Sequence, residues 1–215
     1  MISLWRLLPV TVCAGLLLGI TAASAHPHVW ATVEITILYD HNAVSALQSV
    51  WTFDEMYSAM SLQGLDANND GAFEKQELTG LAQETVDDLQ VVDYFTSAKL
   101  GERKLKFAAP VDYWFECKDG ILTLHFTLPL QQPVLVETET FSFAVFDPSF
   151  MTAFNLAKTD PIKIEGSAPA GCRATTTLPE VDAAEIRRLG EVFPLGGPSF
   201  GLSVAATGSV QCGKS

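Results

Sequence analysis

The sequence predicts an α+β fold, in which a β-sandwich-like body carries a helical insertion and ends in a short C-terminal helix. Apolar residues alternate strictly from Val29 to Ile37, which is the period of a strand with one buried face. Apolar residues recur at helical spacing from Leu78 to Val92. Asp119 followed by Gly120 separates two apolar segments, which is a hairpin signal. Strands therefore dominate, and the first helices are confined to one insertion.

The predicted strands lie on both sides of this insertion, which spans about residues 54–95. Residues 28–40 and 43–53 are predicted to form one hairpin, and residues 104–130 a second hairpin that turns at Asp119 and Gly120. The later segments are predicted as two strands about a proline-bounded turn at 139–156, strands at 162–166 and 172–178, and a helix at 179–193.

Residues 1–25 are predicted to be a secretory signal peptide. A basic residue, Arg6, precedes an apolar run that ends in small residues, so cleavage is expected after Ala25. No lipid anchor is expected at Cys13, because a large valine precedes it and most of the apolar run follows it. The remaining residues 26–215 then form a single β-rich domain in the periplasm.

Charge and cysteine content limit the partners and the compartment. The chain has 25 acidic and 13 basic residues and a net charge of −12, which disfavours nucleic acids and anionic membranes as partners. An oxidising compartment permits a disulfide, and we expect it to join Cys172 to Cys212 and so hold the C-terminal segment. Cys117 is then expected to be unpaired and buried.

Residues 66–77, here called the acidic loop, carry oxygen ligands at the spacing of an EF-hand calcium loop. Gly71 occupies the sixth position, where the chain must turn sharply. Calcium prefers oxygen ligands, and the loop is predicted to bind Ca²⁺ through the side chains or carbonyls of Asp66, Asn68, Asp70, Ala72, Glu74 and Glu77.

The sequence around the acidic loop predicts a single, structural EF-hand. Asp54 is expected to cap the entering helix, and Glu77 to lie in the first turn of the exiting helix. No second loop of this pattern occurs in the sequence, so Phe73 is expected to pack into the body of the protein. Sensor hands work in pairs, which disfavours a switch. The alternative is a solvated acidic turn that caps a helix.

Cleavage after Ala25 would leave histidine as the first residue, with a second histidine two residues on. The α-amine and imidazole of His26 could chelate one metal, and His28 supplies another imidazole. Pro27 has no N–H, which blocks a site built from successive deprotonated amides. The expected metals are Ni, Co, Zn or Cu, and His41 and His125 are candidate further ligands. The alternative is a strand that begins with His28 on its polar face.

Three segments together resemble a bacterial family: "HPHVW", "LDANNDGAFEKQEL" and "FAVFDPSFMTAFNLA". The family is the domain-of-unknown-function family numbered one thousand and seven. Its members are often labelled periplasmic components of an uncharacterised ABC-type transport system, and their genes often lie beside nickel/cobalt-type permeases. His26 and His28 match its opening motif, and Asp147 and Pro148 match a later one. Phe150 and Met151 stand where tyrosines are expected.

The resemblance implies a metal-binding accessory in divalent transition-metal transport, with an inner-membrane metal permease as partner. The sequence has no Gly-x-Ser-x-Gly nucleophile motif and no assignable triad, so no enzymatic activity is expected. One alternative is a structural or interaction domain of the envelope, for which the histidines would be incidental. Another is a copper enzyme with an N-terminal histidine brace, which would need another imidazole facing His26.

Overall fold

A computed structural model describes residues 28–177 and 205–213, and within these ranges the chain is a β-rich α+β protein with two sheets. The larger sheet comprises β1 (Val29–Asp40), β2 (Ala43–Phe53), β5 (Val111–Lys118), β6 (Ile121–Leu135), β8 (Thr152–Leu156) and β9 (Ile162–Gly166). The smaller sheet comprises β3 (Thr96–Leu100), β4 (Arg103–Leu105), β7 (Phe141–Val145), β10 (Cys172–Thr177) and β11 (Thr207–Cys212). The strand orders are β5–β6–β2–β1–β8, with β9 also paired to β1, and β10–β11–β7–β3–β4.

The β1–β2 hairpin forms as the alternation predicts. Asp40 pairs with Ala43, so the loop consists of His41 and Asn42, whose φ angles are 48° and 65°. Positive φ at both loop residues matches the twist of the flanking strands. The inner face of β1 is fully buried from Ala31 to Ile37, which confirms the predicted face.

The β5–β6 hairpin turns at Asp119 and Gly120, with φ angles of 52° and 77°, as predicted. The prediction was wrong for Lys104 and Leu105, because β4 pairs with β3 in the smaller sheet, whereas Phe107 already bridges Leu130 of β6 as predicted. Pro110 lies between β4 and β5. A proline has no N–H to donate to a sheet, and Pro110 interrupts the pairing with β6 between Phe107 and the start of β5.

Both sheets contribute to one apolar core. Val33 and Ile35 of β1 belong to the same buried cluster as Phe141 and Phe143 of β7. Gly208 of β11 lies so close to the larger sheet that an added Cβ would meet Cδ1 of Ile162 at 2.6 Å. The two sheets therefore pack face to face, and the side chains between them form the core.

The helical insertion consists of α1 (Glu55–Ser61), α2 (Thr79–Val91) and a short 3₁₀ helix, Asp93–Phe95. The predicted apolar spacing holds for Leu78, Ala82, Val86 and Leu89, which are buried. It fails for Val92, which lies beyond the end of α2 and is exposed. Phe73 is half-buried against the core, as predicted.

Cys172 and Cys212 form a disulfide between paired residues of β10 and β11, as predicted. Cys117 is a free thiol in the described part of the chain and is half-buried rather than fully buried. Burial raises the pKa of the Cys117 thiol.

The predicted signal peptide, His26 and the predicted helix at 179–193 lie outside the described residues. Among the residues that are described, no helix has the length and apolar character needed to cross a membrane.

Candidate functional site

The start of β1 is held on one side by the loop before β8. The carbonyl oxygen of Met151 accepts the N–H of His28 at 2.8 Å and that of Val29 at 3.2 Å. β1 and β8 then pair in parallel from Val29 and Thr152 onward. Residues 28–30, the described part of the segment "HPHVW", therefore meet the end of the segment "FDPSF" at this edge of the sheet, and both segments carry the family resemblance.

The start of β1 is held on its other side by Asp54. Oδ2 of Asp54 accepts the N–H of Trp30 at 2.8 Å, and the N–H of Asp54 donates to the carbonyl of Trp30 at 2.9 Å. Oδ1 of Asp54 accepts the N–H of Tyr57 at 2.9 Å, which is the predicted N-cap of α1. One carboxylate thus ties the start of β1 to the helical insertion.

The environment of Asp54 favours its charged form. Burial acts to raise the pKa of this carboxyl, but N–H groups of the backbone, including those of Trp30, Tyr57 and Met56, outweigh that effect and lower it. The helix cap was predicted from local sequence. The bond to Trp30 joins residues 24 positions apart, and no local signal indicates it.

Asp147 has a structural role in the turn that precedes β8. The residue is 2% exposed, and its Oδ1 accepts the N–H of Ser149 at 2.8 Å and the hydroxyl of Ser149 at 2.6 Å. Its Oδ2 accepts the N–H of Thr152 at 2.8 Å. An aspartate whose side chain accepts the N–H of the residue two positions later is a common turn motif. The sequence Asp147-Pro148-Ser149 is the local signal for this turn.

The structure does not bring His41 or His125 close to His28. His28 is exposed at the start of β1, whereas His41 lies in the hairpin loop at the far end, roughly 40 Å away at about 3.3 Å per residue. The side chain of His41 is 93% exposed, and its Nδ1 lies 2.8 Å from Oδ1 of Asp40. His41 is therefore not a further ligand for a metal at His28.

His125 is also remote from His28. His125 pairs with Val50 of β2, and Val50 pairs with Glu34 of β1. His125 is therefore two strands away from β1, at the level of Glu34, which is roughly 20 Å along the strand from His28. The order of strands separates these residues, and His125 is likewise excluded as a ligand at the start of β1.

His125 belongs instead to a cluster beside the acidic loop. Its ring stacks on Trp114 with centroids 4.6 Å apart and planes 3° apart. Nζ of Lys75, which lies in the acidic loop, is 4.7 Å from the centroid of the Trp114 ring. Nε2 of His125 approaches Oε2 of Glu116 to 3.3 Å, but not in the orientation of a hydrogen bond. This cluster holds the acidic loop against β5 and β6.

The acidic loop is closed by its own carboxylates. Asp66 accepts the N–H groups of Asp70 and Gly71 at 3.1 and 3.0 Å, and Asn68 Oδ1 also accepts the N–H of Asp70, at 2.9 Å. Gly71 has a φ of 81°, as the predicted turn requires. The first half of the loop therefore folds around the side-chain oxygens of its first and third positions.

Glu77 joins the end of the acidic loop to its beginning. Its Oε1 accepts the N–H of Ala67 at 2.8 Å, and its Oε2 accepts the N–H of Glu74 at 3.1 Å. A side-chain hydrogen bond between Glu74 and Glu77 raises the pKa of Glu74 and lowers that of Glu77. Glu77 precedes α2, which begins at Thr79, so its predicted place in the first turn of that helix was wrong by two residues.

Among the described residues, no group of three or more His, Cys, Asp or Glu side chains has the geometry of a preformed metal site. The oxygens of the acidic loop are instead engaged with its backbone N–H groups. A carboxylate oxygen has lone pairs left after one such bond, so these residues retain capacity for a hard cation.

These features define the class: a β-rich α+β protein that presents a histidine at an anchored strand start and a carboxylate-rich loop in a helical insertion. Residues 11–212 match the family model described as "Protein of unknown function (DUF1007)", and the chain belongs to that family. The resemblance noted in the sequence is thereby confirmed.

Two similar proteins carry no functional description. An "Uncharacterized 15.5 kDa protein in trpE 3'region" of Spirochaeta aurantia is 30% identical over 117 residues, which is 53% of this chain and 83% of that protein. An "Uncharacterized protein" of Haemophilus influenzae is 25% identical over 159 residues, which is 74% of this chain and 75% of that protein.

Proposed function

We propose that this protein is a periplasmic, non-catalytic metal-binding accessory of a transition-metal transport system, and that calcium stabilises its acidic loop. The observation that supports the metal-binding proposal is the anchored start of β1. The backbone of His28 and Trp30 is fixed by Met151 and Asp54, while the side chain of His28 is exposed. A fixed backbone reduces the entropy lost when a metal orders the ligands.

The transition-metal site consists of the α-amine and imidazole of His26 together with the imidazole of His28, in the form cleaved after Ala25. These ligands suit Ni, Co, Zn or Cu. The disulfide between Cys172 and Cys212 supports an oxidising compartment, where such a site would receive metal. The proposed partner is an inner-membrane metal permease, which would accept or supply the ion.

The test compares a chain that begins at His26 with one that carries an additional methionine before it. Titration with Ni, Co, Zn and Cu should give weaker binding when the amine is blocked, and His28→Ala should weaken it further. The matched control is His41→Ala, an exposed histidine at the other end of β1. Affinity should fall from about pH 7.5 to about pH 5.5, because protons compete for the imidazoles and the amine.

Equal metal affinity of the two chains would show that the α-amine of His26 is not a ligand. Absence of binding to both chains would overturn the metal-binding role and favour an interaction domain of the envelope.

The calcium proposal is supported by the converging oxygens of the acidic loop. Glu77 at the twelfth position bonds the N–H of Ala67 at the second, and Asp66 and Asn68 both bond the N–H of Asp70. The proposed ligands are the side chains of Asp66, Asn68, Asp70, Glu74 and Glu77 and the carbonyl of Ala72. Bound calcium would neutralise the carboxylates and hold the loop between α1 and α2.

The test is thermal unfolding with calcium or with EDTA. For a Kd of about 10⁻⁴–10⁻³ M, about 1 mM calcium should add roughly 0.4–1.4 kcal/mol to the free energy of unfolding. Asp66→Ala and Glu77→Gln should abolish this increment, whereas Glu84→Gln on the exposed face of α2 should preserve it. Identical melting curves with calcium and EDTA would show that the loop is only an acidic turn.

A further inference from the structure

His125 has a buried nitrogen without a hydrogen bond on the outer face of the larger sheet. Its neighbours along β6, Leu124 and Phe126, are buried in the core, so the imidazole lies on the opposite face. The side chain is 20% exposed, but its Nε2 atom is buried and has no hydrogen-bond partner in the described part of the chain. Native proteins seldom leave such an atom unpartnered, and a bound ion is one of the partners that such atoms take.

The carboxylate of Glu116 lies where a second ligand of one metal ion would lie. Oε2 of Glu116 is 3.3 Å from Nε2 of His125, without the orientation of a hydrogen bond. Two ligand atoms that each lie about 2.0–2.1 Å from a tetrahedral ion are about 3.3–3.4 Å apart. The oxygen is then displaced from the axis of the nitrogen lone pair, because the ion and not the oxygen lies on that axis. The distance and the orientation therefore fit a shared ion better than a direct hydrogen bond between the two side chains.

The imidazole of His125 is held in place by its neighbours. Its ring stacks on Trp114 with planes 3° apart, and the two residues are paired across β5 and β6. β6 is an inner strand, since His125 also pairs with Val50 of β2. A ligand that is already oriented loses little entropy on binding. Glu116, by contrast, is 57% exposed, so its carboxylate can rotate to admit an ion without disturbing the core.

The charges around this pair favour a cation. Among the residues that the structure describes, Glu116 is paired with no lysine or arginine, and Nζ of Lys75 lies over the ring of Trp114 instead. The adjacent acidic loop carries four carboxylates, and the chain has a net charge of −12. A surface of one charge sign raises the local concentration of counter-ions, here cations.

We propose that the imidazole of His125 and the carboxylate of Glu116 bind a divalent transition metal of the zinc type. Imidazole nitrogen and carboxylate oxygen are both ordinary zinc ligands. Within residues 28–177 and 205–213, no third His, Cys, Asp or Glu completes the group, so two tetrahedral positions remain for water or for a group of another molecule. The site lies two strands away from β1 and is separate from the chelate proposed there. The inference goes beyond the proposed function and does not depend on that chelate.

The experiment measures Zn²⁺ binding by calorimetric titration of the chain that carries an additional methionine before His26, so that the α-amine of His26 is blocked. Calcium at about 10 mM is present to occupy the acidic loop, since such loops have a Kd of about 10⁻⁴–10⁻³ M. Glu116→Gln should lower the Zn²⁺ affinity about tenfold or more, because an amide replaces the charged ligand. The matched control is Glu165→Gln, the same change at an exposed residue of β9, and it should leave the affinity within about twofold.

A second variant, His125→Phe, removes the ligand nitrogen but keeps an aromatic ring against Trp114. Zn²⁺ binding at this site should be lost, whereas His41→Ala, at an exposed histidine of the β1–β2 loop, should leave it unchanged. Thermal unfolding without metal checks that the variants are folded. In the wild-type chain, NMR with isotope-labelled histidine should show the Nε2 resonance of His125 shift on addition of Zn²⁺, which a purely structural role of the residue would not produce.

The outcomes separate the inference from the proposed function. Absence of Zn²⁺ binding to the blocked chain, or Zn²⁺ affinity that either variant leaves unchanged, would overturn the inference and leave the proposed function standing. Binding that depends on His125 and Glu116 but is equal with free and blocked amines would support the inference and overturn the chelate at His26. Absence of binding of Zn²⁺, Ni²⁺, Co²⁺ and Cu²⁺ to every chain would overturn both.

Discussion

Asp54 joins two segments with the two oxygens of one carboxylate. One oxygen caps α1 at Tyr57, and the other bonds the N–H of Trp30. Both are hydrogen bonds to an ionised acceptor, which are stronger than neutral ones. The residue therefore couples the helical insertion to the strand that carries His28.

Substitution Asp54→Ala should lower the free energy of unfolding by about 2 kcal/mol, since a helix cap and a second charge-assisted bond are lost. Asp54→Asn should cost less, because its single oxygen can keep one of the two bonds. Urea unfolding measures both, with Glu84→Gln as a control in an exposed part of α2. Equal stability of wild type and Asp54→Ala would contradict the coupling.

The lowered pKa of Asp54 sets the direction of a pH effect. The Asp54 carboxyl binds its proton more tightly in the unfolded chain than in the folded chain. The stabilisation that the Asp54 carboxylate provides is therefore fully present above the pKa of an aspartate in the unfolded chain, about 3.9. It is lost as pH falls through the lowered folded pKa. The destabilisation of Asp54→Asn relative to wild type should therefore be larger at about pH 7 than at about pH 3. A difference independent of pH, in urea unfolding at both values, would contradict this assignment.

Asp147 should be among the side chains that are costly to remove. It is buried and accepts three hydrogen bonds, and truncation leaves the N–H groups of Ser149 and Thr152 without this acceptor. We expect Asp147→Ala to lower the free energy of unfolding by about 3 kcal/mol, and Ser149→Ala by about 1 kcal/mol. Urea unfolding of both variants tests this order, and a smaller effect for Asp147→Ala than for Ser149→Ala would contradict it.

At the scale of elements, the acidic loop is held to the larger sheet through Lys75 and Trp114. The ammonium group faces the indole, and the indole stacks in turn on His125 of β6. A loop that is mainly exposed thereby gains a contact with the rigid part of the molecule.

A double-mutant cycle between Lys75→Ala and Trp114→Ala should give a coupling free energy of about 0.5–1 kcal/mol, the range of exposed cation–π pairs. The control cycle pairs Trp114→Ala with Lys118→Ala, an exposed lysine later in β5. Its coupling should be close to zero, because Lys118 lies four residues further along β5, roughly 13 Å from Trp114. Equal coupling in the two cycles would exclude a specific Lys75–Trp114 contact.

At the scale of the whole molecule, the disulfide joins β10 to β11 across 40 residues of sequence. Closing a loop of that length restricts the unfolded chain and, in the chain-entropy treatment, stabilises the folded one by about 4 kcal/mol. Urea unfolding of the double variant Cys172→Ala, Cys212→Ala should show a loss approaching this value. Cys117→Ala is the control, and reducing agent should destabilise this variant as it does wild type. Insensitivity of the wild type to reduction would contradict the stabilising role.

Local physical chemistry made a large part of the fold predictable. The alternation in β1 and the turn residues of both predicted hairpins depend on sterics over a few residues, so sequence spacing was sufficient. The same holds for Asp54 as the cap of α1. Two of the failures, at Val92 and at the start of α2, are shifts at the ends of a helix, where tertiary contacts decide the last residues. The failure at Lys104 and Leu105 concerns the choice of sheet, which depends on distant segments.

The sequence by itself determined the residue types available for a site: two histidines at the start of the predicted mature chain, carboxylates at calcium-loop spacing, and cysteines that could pair. Only the tertiary structure decided which of them meet. The length of β1 separated His41 from His28, the strand order β6–β2–β1 separated His125 from it, and the pairing of β1 with β8 brought Met151, more than 120 residues away in sequence, beside it. The reason is that periodicity fixes the face of a strand, whereas its neighbours depend on how distant segments pack around the common core.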